Sequence, residues 1–221
     1  MFTYQEQAYH FVKSQILARG YKPGEYITDA QVAEVLSVSR TPVREAFYRL
    51  ANEGLLINEA RRGWRVYSLS LEDIHEIFDI KVALEGILAW KAAANPDETL
   101  RAELQQALTD MDAATQANDT DAWFAADEKL HHTISALAHN ERAERIINNL
   151  NDQWHRLRIG FAVIQSRMTQ SIDEHKLITQ YILDGDGGNA ERALQDHLNR
   201  VRDDLVRLLE NMVLPFVEKG V

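Results

Sequence analysis

Residues 28–56 read TDAQVAEVLSVSRTPVREAFYRLANEGLL, and they predict two short helices joined by a tight turn. A capping box that begins at Thr28 marks the start of the first helix. The second helix is predicted to begin at Ser39 or Thr41, with Pro42 in its first turn, where a missing N–H costs little. Apolar residues at helical spacing give this helix a buried face, made of Val43, Ala46, Phe47 and Leu50.

The flanking residues extend this pair of helices into a larger unit. Residues 5–19 have helical spacing of apolar positions, and Gly20 follows as a stop signal. After the pair, the short extended runs 55–58 and 64–69 are bridged by 59–63, which predicts a β-hairpin. Three helices and a hairpin in fewer than 70 residues outline a winged helix-turn-helix.

The rest of the chain reads as helix throughout. Short breaks divide it into six predicted helices, at 71–94, 97–116, 119–138, 141–166, 170–184 and 187–214. Six helices with short connections predict an antiparallel bundle. The fold class is therefore mainly α, with a winged helix-turn-helix DNA-binding domain over 1–69 and an all-helical domain over 70–221.

The charge is distributed unevenly between these parts. The 221 residues carry a net charge of −10, yet residues 1–68 hold nine Lys and Arg against seven Asp and Glu. The remaining residues hold 15 basic against 27 acidic side chains. A weakly basic module on an acidic body favours a DNA-reading unit attached to a regulatory domain, although a charge cluster can also be a solvated face.

Cysteine content and the N-terminus indicate a cellular compartment. The chain has no cysteine, which excludes a disulfide scaffold, a cysteine nucleophile and a thiolate metal site. The first residues lack a basic stretch followed by a long apolar run, and no run of about 18 apolar residues occurs further on. We therefore expect a cytoplasmic protein.

The start of the predicted recognition helix carries groups suited to DNA. Arg40 and Arg44 are four residues apart and project from one face, and an arginine there can fork onto guanine O6 and N7 or onto a phosphate. The hydroxyls of Ser39 and Thr41 suit phosphate oxygens, as do the free N–H groups of the helix start. Arg49, at the far end of the helix, is interpreted as solvated.

The hairpin tip offers a second set of contacts. Gly63 lets the backbone approach a minor groove, and Arg61 and Arg62 lie beside it. A single module of this size buries modest surface, so tight binding usually needs two half-sites and therefore a homodimer.

These segments resemble the GntR family of bacterial transcription factors. Residues 38–46 match its motif almost word for word, and Gly54-Leu55-Leu56 and Arg62-Gly63 continue the match. The bundle resembles the FCD-type effector domain of the FadR subfamily, in its six-helix, VanR-like branch. The resemblance implies a double-stranded DNA operator with an inverted repeat, a homodimer, and DNA contacts from Ser39, Arg40, Thr41, Arg44 and Gly63. Some relatives have an arginine where Ala30 stands here, which implies one lost contact or a changed sequence preference.

A group of possible metal ligands lies in the bundle. Asp127 and His131 are four residues apart on a face that points inward, whereas His132 is about 100° away round the helix. His175 and His197 lie on later helices, and His197 shares a face with apolar residues. Imidazole and carboxylate without thiolate suit Zn²⁺, Ni²⁺, Mn²⁺ or Fe²⁺. The same pattern is also typical of a helix surface pair and of satisfied core histidines.

The family resemblance favours the metal interpretation. Many FCD-type domains bind a divalent metal through an Asp-x-x-x-His pair and two later histidines, and Asp127, His131, His175 and His197 occupy those positions in order. The resemblance also implies a small organic acid as effector.

The anchor for such an acid is less obvious from the residues. The family's first bundle helix usually has an arginine where Lys81 stands here, and lysine cannot fork onto a carboxylate. The candidates for effector binding are therefore Lys81, Arg156 and Arg158, although the two arginines could equally be solvated.

Three functional hypotheses follow. The first is a transcriptional repressor whose operator affinity is controlled by an organic acid bound beside a divalent metal. The second is a regulator for which the ion itself is the signal. The third is a His/Asp metalloenzyme, which would leave residues 38–46 unexplained and lacks a recognisable general base, so we expect no enzymatic activity.

Overall fold

The structure is a computed structural model that describes residues 2–161 and 165–217, with side chains described outside 154–166 and 211–217. The chain folds into two compact units. The first unit is Met1–Ser70 together with Asn151–Arg158, and the second is Leu71–Leu150 together with Ile159–Val221. The first unit therefore takes in a short piece of a helix whose remaining residues belong to the second.

The described residues form nine α-helices and three short β-strands. The first unit contains α1 Tyr4–Leu17, β1 Tyr26–Ile27, α2 Asp29–Leu36, α3 Arg40–Asn52, β2 Leu56–Glu59 and β3 Gly63–Val66. The bundle helices are α4 Leu71–Ala93, α5 Glu98–Ala117, α6 Thr120–Leu137, α7 Glu141–Phe161, α8 Gln165–Leu183 and α9 Gly187–Val217. The predicted fold class is confirmed, and each predicted helix is present with its ends shifted by a few residues.

The helices α2 and α3 differ in how they begin. Thr28 Oγ1 accepts a hydrogen bond from the Gln31 amide at 3.2 Å, and Gln31 Oε1 accepts from the Thr28 amide at 2.9 Å. These two bonds complete the predicted capping box of α2. Ser39 occupies the N-cap position of α3, but its hydroxyl makes no capping hydrogen bond to the described residues of that helix. The first N–H groups of α3 therefore have no side-chain cap from Ser39, at a helix start where Ser39, Arg40 and Thr41 are exposed.

The sheet is larger than the predicted hairpin. β2 and β3 pair antiparallel as expected, and β1 adds a third strand against β3, giving the order β1-β3-β2. β1 has only two residues, too few for a period-two pattern to reveal. Trp64 of β3 is buried and packs edge-on against Phe47 of α3, with ring centroids 5.4 Å apart. This contact fixes the hairpin against the core side of α3.

The bundle places polar side chains inside an otherwise apolar core. α4 packs mainly against α9 and α6, while α8 lies against α9 and α5. Leu88, Leu130, Ile134, Ile178 and Leu194 are fully or almost fully buried among these helices. Several ionisable side chains are buried with them, namely Lys81, Glu85, Arg167, His175 and His197. Buried charges of this kind are costly unless they are paired or hold a ligand.

No helix among the residues that the structure describes has both the length and the apolar run required to span a membrane.

Candidate DNA-binding surface and metal centre

One face of α3 is buried and the opposite face is exposed. Val43 and Phe47 are fully buried, whereas Arg40, Thr41 and Arg44 are exposed. The division follows from the 3.6-residue period, which places the apolar positions on the core side and the polar ones on the outer side. The side chains predicted to contact DNA thus lie on an accessible surface at the start of α3.

Arg44 is held by an acidic neighbour on the preceding helix. Its Nε–H donates to Asp29 Oδ2, at the first position of α2. The Arg44 side chain is 60% exposed and that of Asp29 is 16% exposed. The carboxylate is therefore the better-buried partner, while the outer end of the guanidinium remains accessible.

The hairpin tip meets the geometric requirement for glycine. Gly63 has a φ of +97°, a conformation that L side chains rarely adopt. A Cβ at this position would lie 3.4 Å from the Ile27 carbonyl oxygen. Arg61 and Arg62 are exposed beside it, and Arg62 Nη1 donates to the Tyr26 hydroxyl at 3.4 Å.

A groove within the first unit runs between the start of α2, the middle of α3 and the hairpin. The side chains and backbone that line it include Asp29, Arg44, Tyr48, Asn58, Arg61, Arg62 and Gly63. Cationic and hydrogen-bonding groups thus lie on both sides of the groove. This arrangement suits an anionic, edge-exposing ligand such as duplex DNA.

Arg49 has partners within the protein. Its Nε donates to Glu53 Oε1 at 3.1 Å, and its guanidinium lies 3.6 Å from the centroid of the Tyr9 ring. These contacts engage the side chain in an ion pair and a cation–π contact inside the module. The side chain is 52% exposed, but the expectation that Arg49 is simply solvated is wrong, because Glu53 and Tyr9 hold it.

The three predicted histidine ligands converge inside the bundle. His131 comes from α6, His175 from α8 and His197 from α9, and one donor atom from each lies within 4.8 Å of the other two. His131 Nε2 and His175 Nε2 are 3.2 Å apart. His132, by contrast, is exposed and lies 3.4 Å from Glu144. The helical period therefore separates the two adjacent histidines as expected.

Asp127 approaches the same point. Its Oδ1 lies 3.5 Å from His175 Nε2 and 3.9 Å from His131 Nε2. The i,i+4 spacing places Asp127 and His131 on one face of α6, and that face points toward α8. Three helices thus bring one carboxylate and three imidazoles together.

Glu85 supports His131 from behind. His131 Nδ1–H donates to Glu85 Oε2 at 2.8 Å, and Lys81 Nζ donates to Glu85 Oε1 at 2.5 Å. Donation from Nδ1 leaves Nε2 as the basic nitrogen, directed at the cluster. The i,i+4 spacing of Lys81 and Glu85 was visible in the sequence, but the contact with α6 was not.

Glu174 plays the same part for His197. His197 Nδ1–H donates to Glu174 Oε2 at 2.6 Å. Arg167 donates to both oxygens of Glu174 at 3.1 and 2.8 Å, and Arg200 Nε donates to Oε1 at 2.7 Å. No local motif marks these residues as a group, since α9 supplies two of them and α8 the other two.

The surroundings shift the pKa values of these groups in a consistent way. Burial alone would raise the pKa of Glu85, but the charge of Lys81 and the contact with His131 outweigh it and hold that pKa well below its usual range. Burial likewise opposes the hydrogen bonds from His197 and Arg167, which lower the pKa of Glu174 to about 2. Both carboxylates are therefore ionised at neutral pH.

The histidines differ among themselves. Burial tends to lower the pKa of His131, yet the charge of Glu85 raises it above its usual value. Burial and the neighbouring His197 lower the pKa of His175 well below its usual range, and burial also lowers the pKa of His197 despite Glu174. Neutral imidazoles are the form that binds metal ions.

The cluster fits a divalent ion by two observations. Two imidazole nitrogens that each lie about 2.0–2.1 Å from one ion are roughly 2.9–3.4 Å apart in octahedral or tetrahedral geometry, and the 3.2 Å between His131 and His175 falls in this interval. Among the described residues, no hydrogen-bond partner reaches the buried Nδ1 of His175, whereas its Nε2 lies 3.5 Å from Asp127 Oδ1 and faces the cluster. Three imidazoles and a carboxylate without thiolate suit Zn²⁺, Ni²⁺, Mn²⁺ or Fe²⁺.

The candidate effector anchors are placed differently. Lys81 is only 5% exposed and is paired with Glu85, so its charge is already compensated. Arg156 and Arg158 lie outside the residues whose side chains are described. Arg167, which the sequence did not single out, is a buried arginine next to the histidine cluster.

Comparison with known families agrees with this geometry. The family model "Bacterial regulatory proteins, gntR family" matches residues 4–66, and the FCD domain model matches residues 76–200. This chain belongs to the GntR family of bacterial regulatory proteins. Its C-terminal unit is an FCD domain.

Curated relatives carry the names of transcriptional regulators. A regulator in the TAR-I ttuE-ttuC' intergenic region of Agrobacterium vitis is 38% identical over 59% of this chain and 78% of its own length. The probable D-xylose utilization operon transcriptional repressor of Paenarthrobacter nicotinovorans is 30% identical over 89% of this chain and 86% of its own length. The transcriptional repressor RspR of Escherichia coli is 28% identical over 90% and 88%. The family is therefore one of DNA-binding regulators rather than enzymes.

Solved structures share the fold. The Escherichia coli protein McbR/YncC superposes with a TM-score of 0.74 at 22% identity, covering 94% of this chain and 99% of its own. A putative GntR regulator from Rhodococcus gives 0.72 at 20% identity, covering 91% and 97%.

Proposed function

We propose that this regulator is a repressor whose operator affinity is controlled by a small organic acid bound beside a divalent ion in the FCD domain. The observation that carries the proposal is the convergence of His131, His175 and His197 on one point, with a carboxylate behind two of them. Such pre-organised ligands have no evident structural purpose in an apolar core. Repressor names among the relatives support the direction of control.

In this proposal the DNA contacts are made by the start of α3 and by the hairpin. Ser39, Arg40, Thr41 and Arg44 would meet one major groove, and Arg62 and Gly63 the adjacent minor groove. The support is that these side chains are exposed beside a groove lined on both sides by cationic residues. Phosphate contacts would position the module, and the arginines would read base edges.

Asp127, His131, His175 and His197 would hold the ion. Four protein ligands leave up to two positions of an octahedron open, and a bound ion would offer them to the carboxylate and hydroxyl of an acid. Glu85 and Glu174 would keep the two histidine rings oriented, and Arg167 would hold Glu174 in place. Arg156 and Arg158 remain candidates for the acid's second anchor, as does Lys81 if the acid displaces Glu85 from it.

The regulator would act as a homodimer on an inverted repeat. α4 has an exposed stripe at heptad spacing, consisting of Glu76, Ile80, Ala83, Ile87 and Trp90. Ile80 and Ile87 are each 45% exposed and Trp90 is 51% exposed. A stripe with this period packs well against a second helix of the same kind.

The ends of the stripe favour a second copy of this chain in the antiparallel direction. Glu76 lies near one end of the stripe and the exposed Lys91 near the other. A two-fold axis near the middle of the stripe would place Ile80 near Trp90 of the second copy, and Ala83 near its Ile87. Each Glu76 would then come within reach of the other copy's Lys91, so the surface complements itself twice.

One observation favours the alternative in which the ion itself is the signal. Lys81, which stands where the family resemblance implies an arginine, is buried and neutralised by Glu85. A site whose lysine is already compensated in this way would respond chiefly to metal. The two functions differ in which ligand releases DNA.

Operator affinity measured in four states separates them. Chelator-treated protein is tested alone, with metal, with a panel of hydroxy and sugar acids, and with metal and acid together. We expect release only with both, by roughly 5- to 150-fold, the usual range of allosteric coupling. Release by metal alone would establish the alternative, and a full acid response in Asp127→Ala would show that the acid does not depend on the ion.

A further inference from the structure

We propose that Asp29 is a specificity-determining residue, which positions Arg44 so that this arginine reads a base rather than a phosphate. The inference rests on the proposed function, because it presupposes that Arg44 contacts DNA. It goes beyond that function by assigning a role in recognition to an acidic residue on the DNA-facing side, where negative charge is otherwise unfavourable.

The contact uses the one nitrogen of Arg44 that base recognition does not need. Asp29 Oδ2 accepts from Nε–H, which lies on the inner edge of the guanidinium. Forked recognition of guanine O6 and N7 can use the outer Nη groups. Anchoring at Nε therefore fixes the plane and direction of the fork and leaves its outer end accessible.

The anchor itself is well fixed. Asp29 is the first residue of α2, directly after the Thr28 cap, where the positive end of the helix dipole favours a carboxylate. Its side chain is largely covered, unlike that of Arg44. An arginine held in one rotamer by such a partner loses less conformational entropy when it binds a base.

The charge of Asp29 also has an unfavourable effect, which is on the overall affinity for DNA. A carboxylate beside the groove repels phosphates whatever the sequence, so it weakens binding to all DNA. When the correct base is present, the hydrogen bonds of the oriented Arg44 guanidinium compensate for the lost affinity. When a wrong base is present, they do not form and the affinity stays low. Arg61 and Arg62, on the hairpin side of the same groove, supply phosphate attraction that does not depend on Asp29.

This pair of effects gives a signature that a purely structural role would not produce. Loss of a carboxylate that only stabilised the first turn of α2 would reduce stability and weaken binding to every sequence equally. Loss of a positioning carboxylate should instead strengthen non-specific binding and reduce discrimination at one base pair.

The test uses the full-length protein and an operator selected from a randomised duplex pool. Dissociation constants are measured by fluorescence anisotropy for the selected operator, for its single-base substitutions and for unrelated DNA. The variants are Asp29→Ala, Asp29→Asn and Arg44→Ala. Glu34→Ala is the matched control, since it removes an exposed negative charge from the same helix.

In Asp29→Ala we expect discrimination at the base read by Arg44 to fall about fivefold or more, and unrelated DNA to bind about two- to threefold more tightly. Asp29→Asn keeps an oxygen for Nε–H, so it should retain most of the discrimination. Glu34→Ala should keep the wild-type discrimination.

Wild-type discrimination in Asp29→Ala would overturn the inference, and so would an equal loss in Glu34→Ala. Should Arg44→Ala leave operator affinity unchanged, the proposed contact of Arg44 with DNA is wrong and the role of Asp29 falls with it. A loss in Arg44→Ala without a change in Asp29→Ala overturns the role of Asp29 alone. Thermal melting of each variant confirms that the fold is intact.

Discussion

His131 and Glu85 are joined inside the FCD domain, with Nδ1 of the imidazole 2.8 Å from Oε2 of the carboxylate. The bond links α6 to α4 and turns Nε2 of His131 toward His175. Since Lys81 holds the other oxygen of Glu85, the carboxylate is fixed at both ends. This arrangement, with the ligand oriented from behind, is typical of metal sites.

We expect Glu85→Gln to weaken metal binding by roughly 10- to 100-fold, because the ring of His131 loses the charged acceptor that orients it. Competition with a fluorescent chelator measures the change. Asp112→Asn, which breaks an exposed ion pair with Lys176, is the control and should bind metal like the wild type. Equal affinity in Glu85→Gln and wild type would show that Glu85 has no such role.

Metal affinity should fall on acidification, and His131 should be the first ligand to be lost. Its pKa is raised by Glu85, so a proton competes with the ion at a higher pH than for the other two histidines. Removing the charge of Glu85 lowers this pKa. We expect metal release to begin at a lower pH in Glu85→Gln, when the bound metal is expressed as a fraction of that variant's own maximum. A curve at the same pH as in the wild type would show that Glu85 does not raise the pKa of His131.

The metal-free protein should lose stability in two steps as the pH falls. His175 and His197 have lowered pKa values in the folded state, so the stability they contribute is present above their ordinary pKa, near 6.5, and declines below it. His131 opposes this change, because its raised pKa favours the folded state at low pH. The second step begins below pH 4.5 and comes from Glu174, whose pKa is lowered to about 2, and from Glu85, whose pKa is held well below its usual range.

Urea unfolding at several pH values tests the second step. Glu174→Gln should be less stable than the wild type at pH 7, because the buried Arg167 loses one of its charged partners and keeps Asp204. Its stability should then change less between pH 4.5 and pH 2. A variant whose stability falls as steeply as that of the wild type would show that another group controls the acid transition.

Arg44→Ala should weaken operator binding by about 1–3 kcal/mol while the melting temperature barely changes, because the side chain lies at the surface. Arg49→Ala is the informative contrast. It removes the stack on Tyr9 and the pair with Glu53, so it should lower the melting temperature and leave base discrimination intact. Electrophoretic mobility shifts and thermal melts distinguish the two, and a reversed pattern would contradict the assignment of the two arginines.

Ile87→Glu should convert the proposed dimer into monomers, since it introduces a charge into the stripe on α4. Sedimentation equilibrium measures the mass, and Leu177→Glu is the control, because Leu177 is similarly exposed (49%) on α8.

Glu76→Lys and Lys91→Glu should each weaken the proposed dimer, and the double variant should restore it. An unchanged mass in Ile87→Glu would place the interface elsewhere, and a monomeric wild type would overturn the homodimer.

Local sequence signals were sufficient for the helices and for placing Asp127 and His131 on one helical face. The Thr28 capping box and the apolar face of α3 depend on residues within one or two turns, so the sequence predicts them directly. The spacing of Asp127 and His131 has the same local origin. The residues alone left open whether His175 and His197 lie near Asp127 and His131. The family resemblance implied that they do, and the fold brings them together.

Contacts between distant residues depended on tertiary structure. Glu85 and Glu174 became partners of the histidines only when separate helices packed together, and the register of that packing is set by apolar side chains throughout the bundle rather than by the carboxylates. The pairing of the two-residue strand β1 with β3 and the hydrogen bond from Arg44 to Asp29 likewise join residues on separate elements. The amino-acid order alone therefore determined which residue types each helix presents on each face, while helix packing decided which of those residues meet.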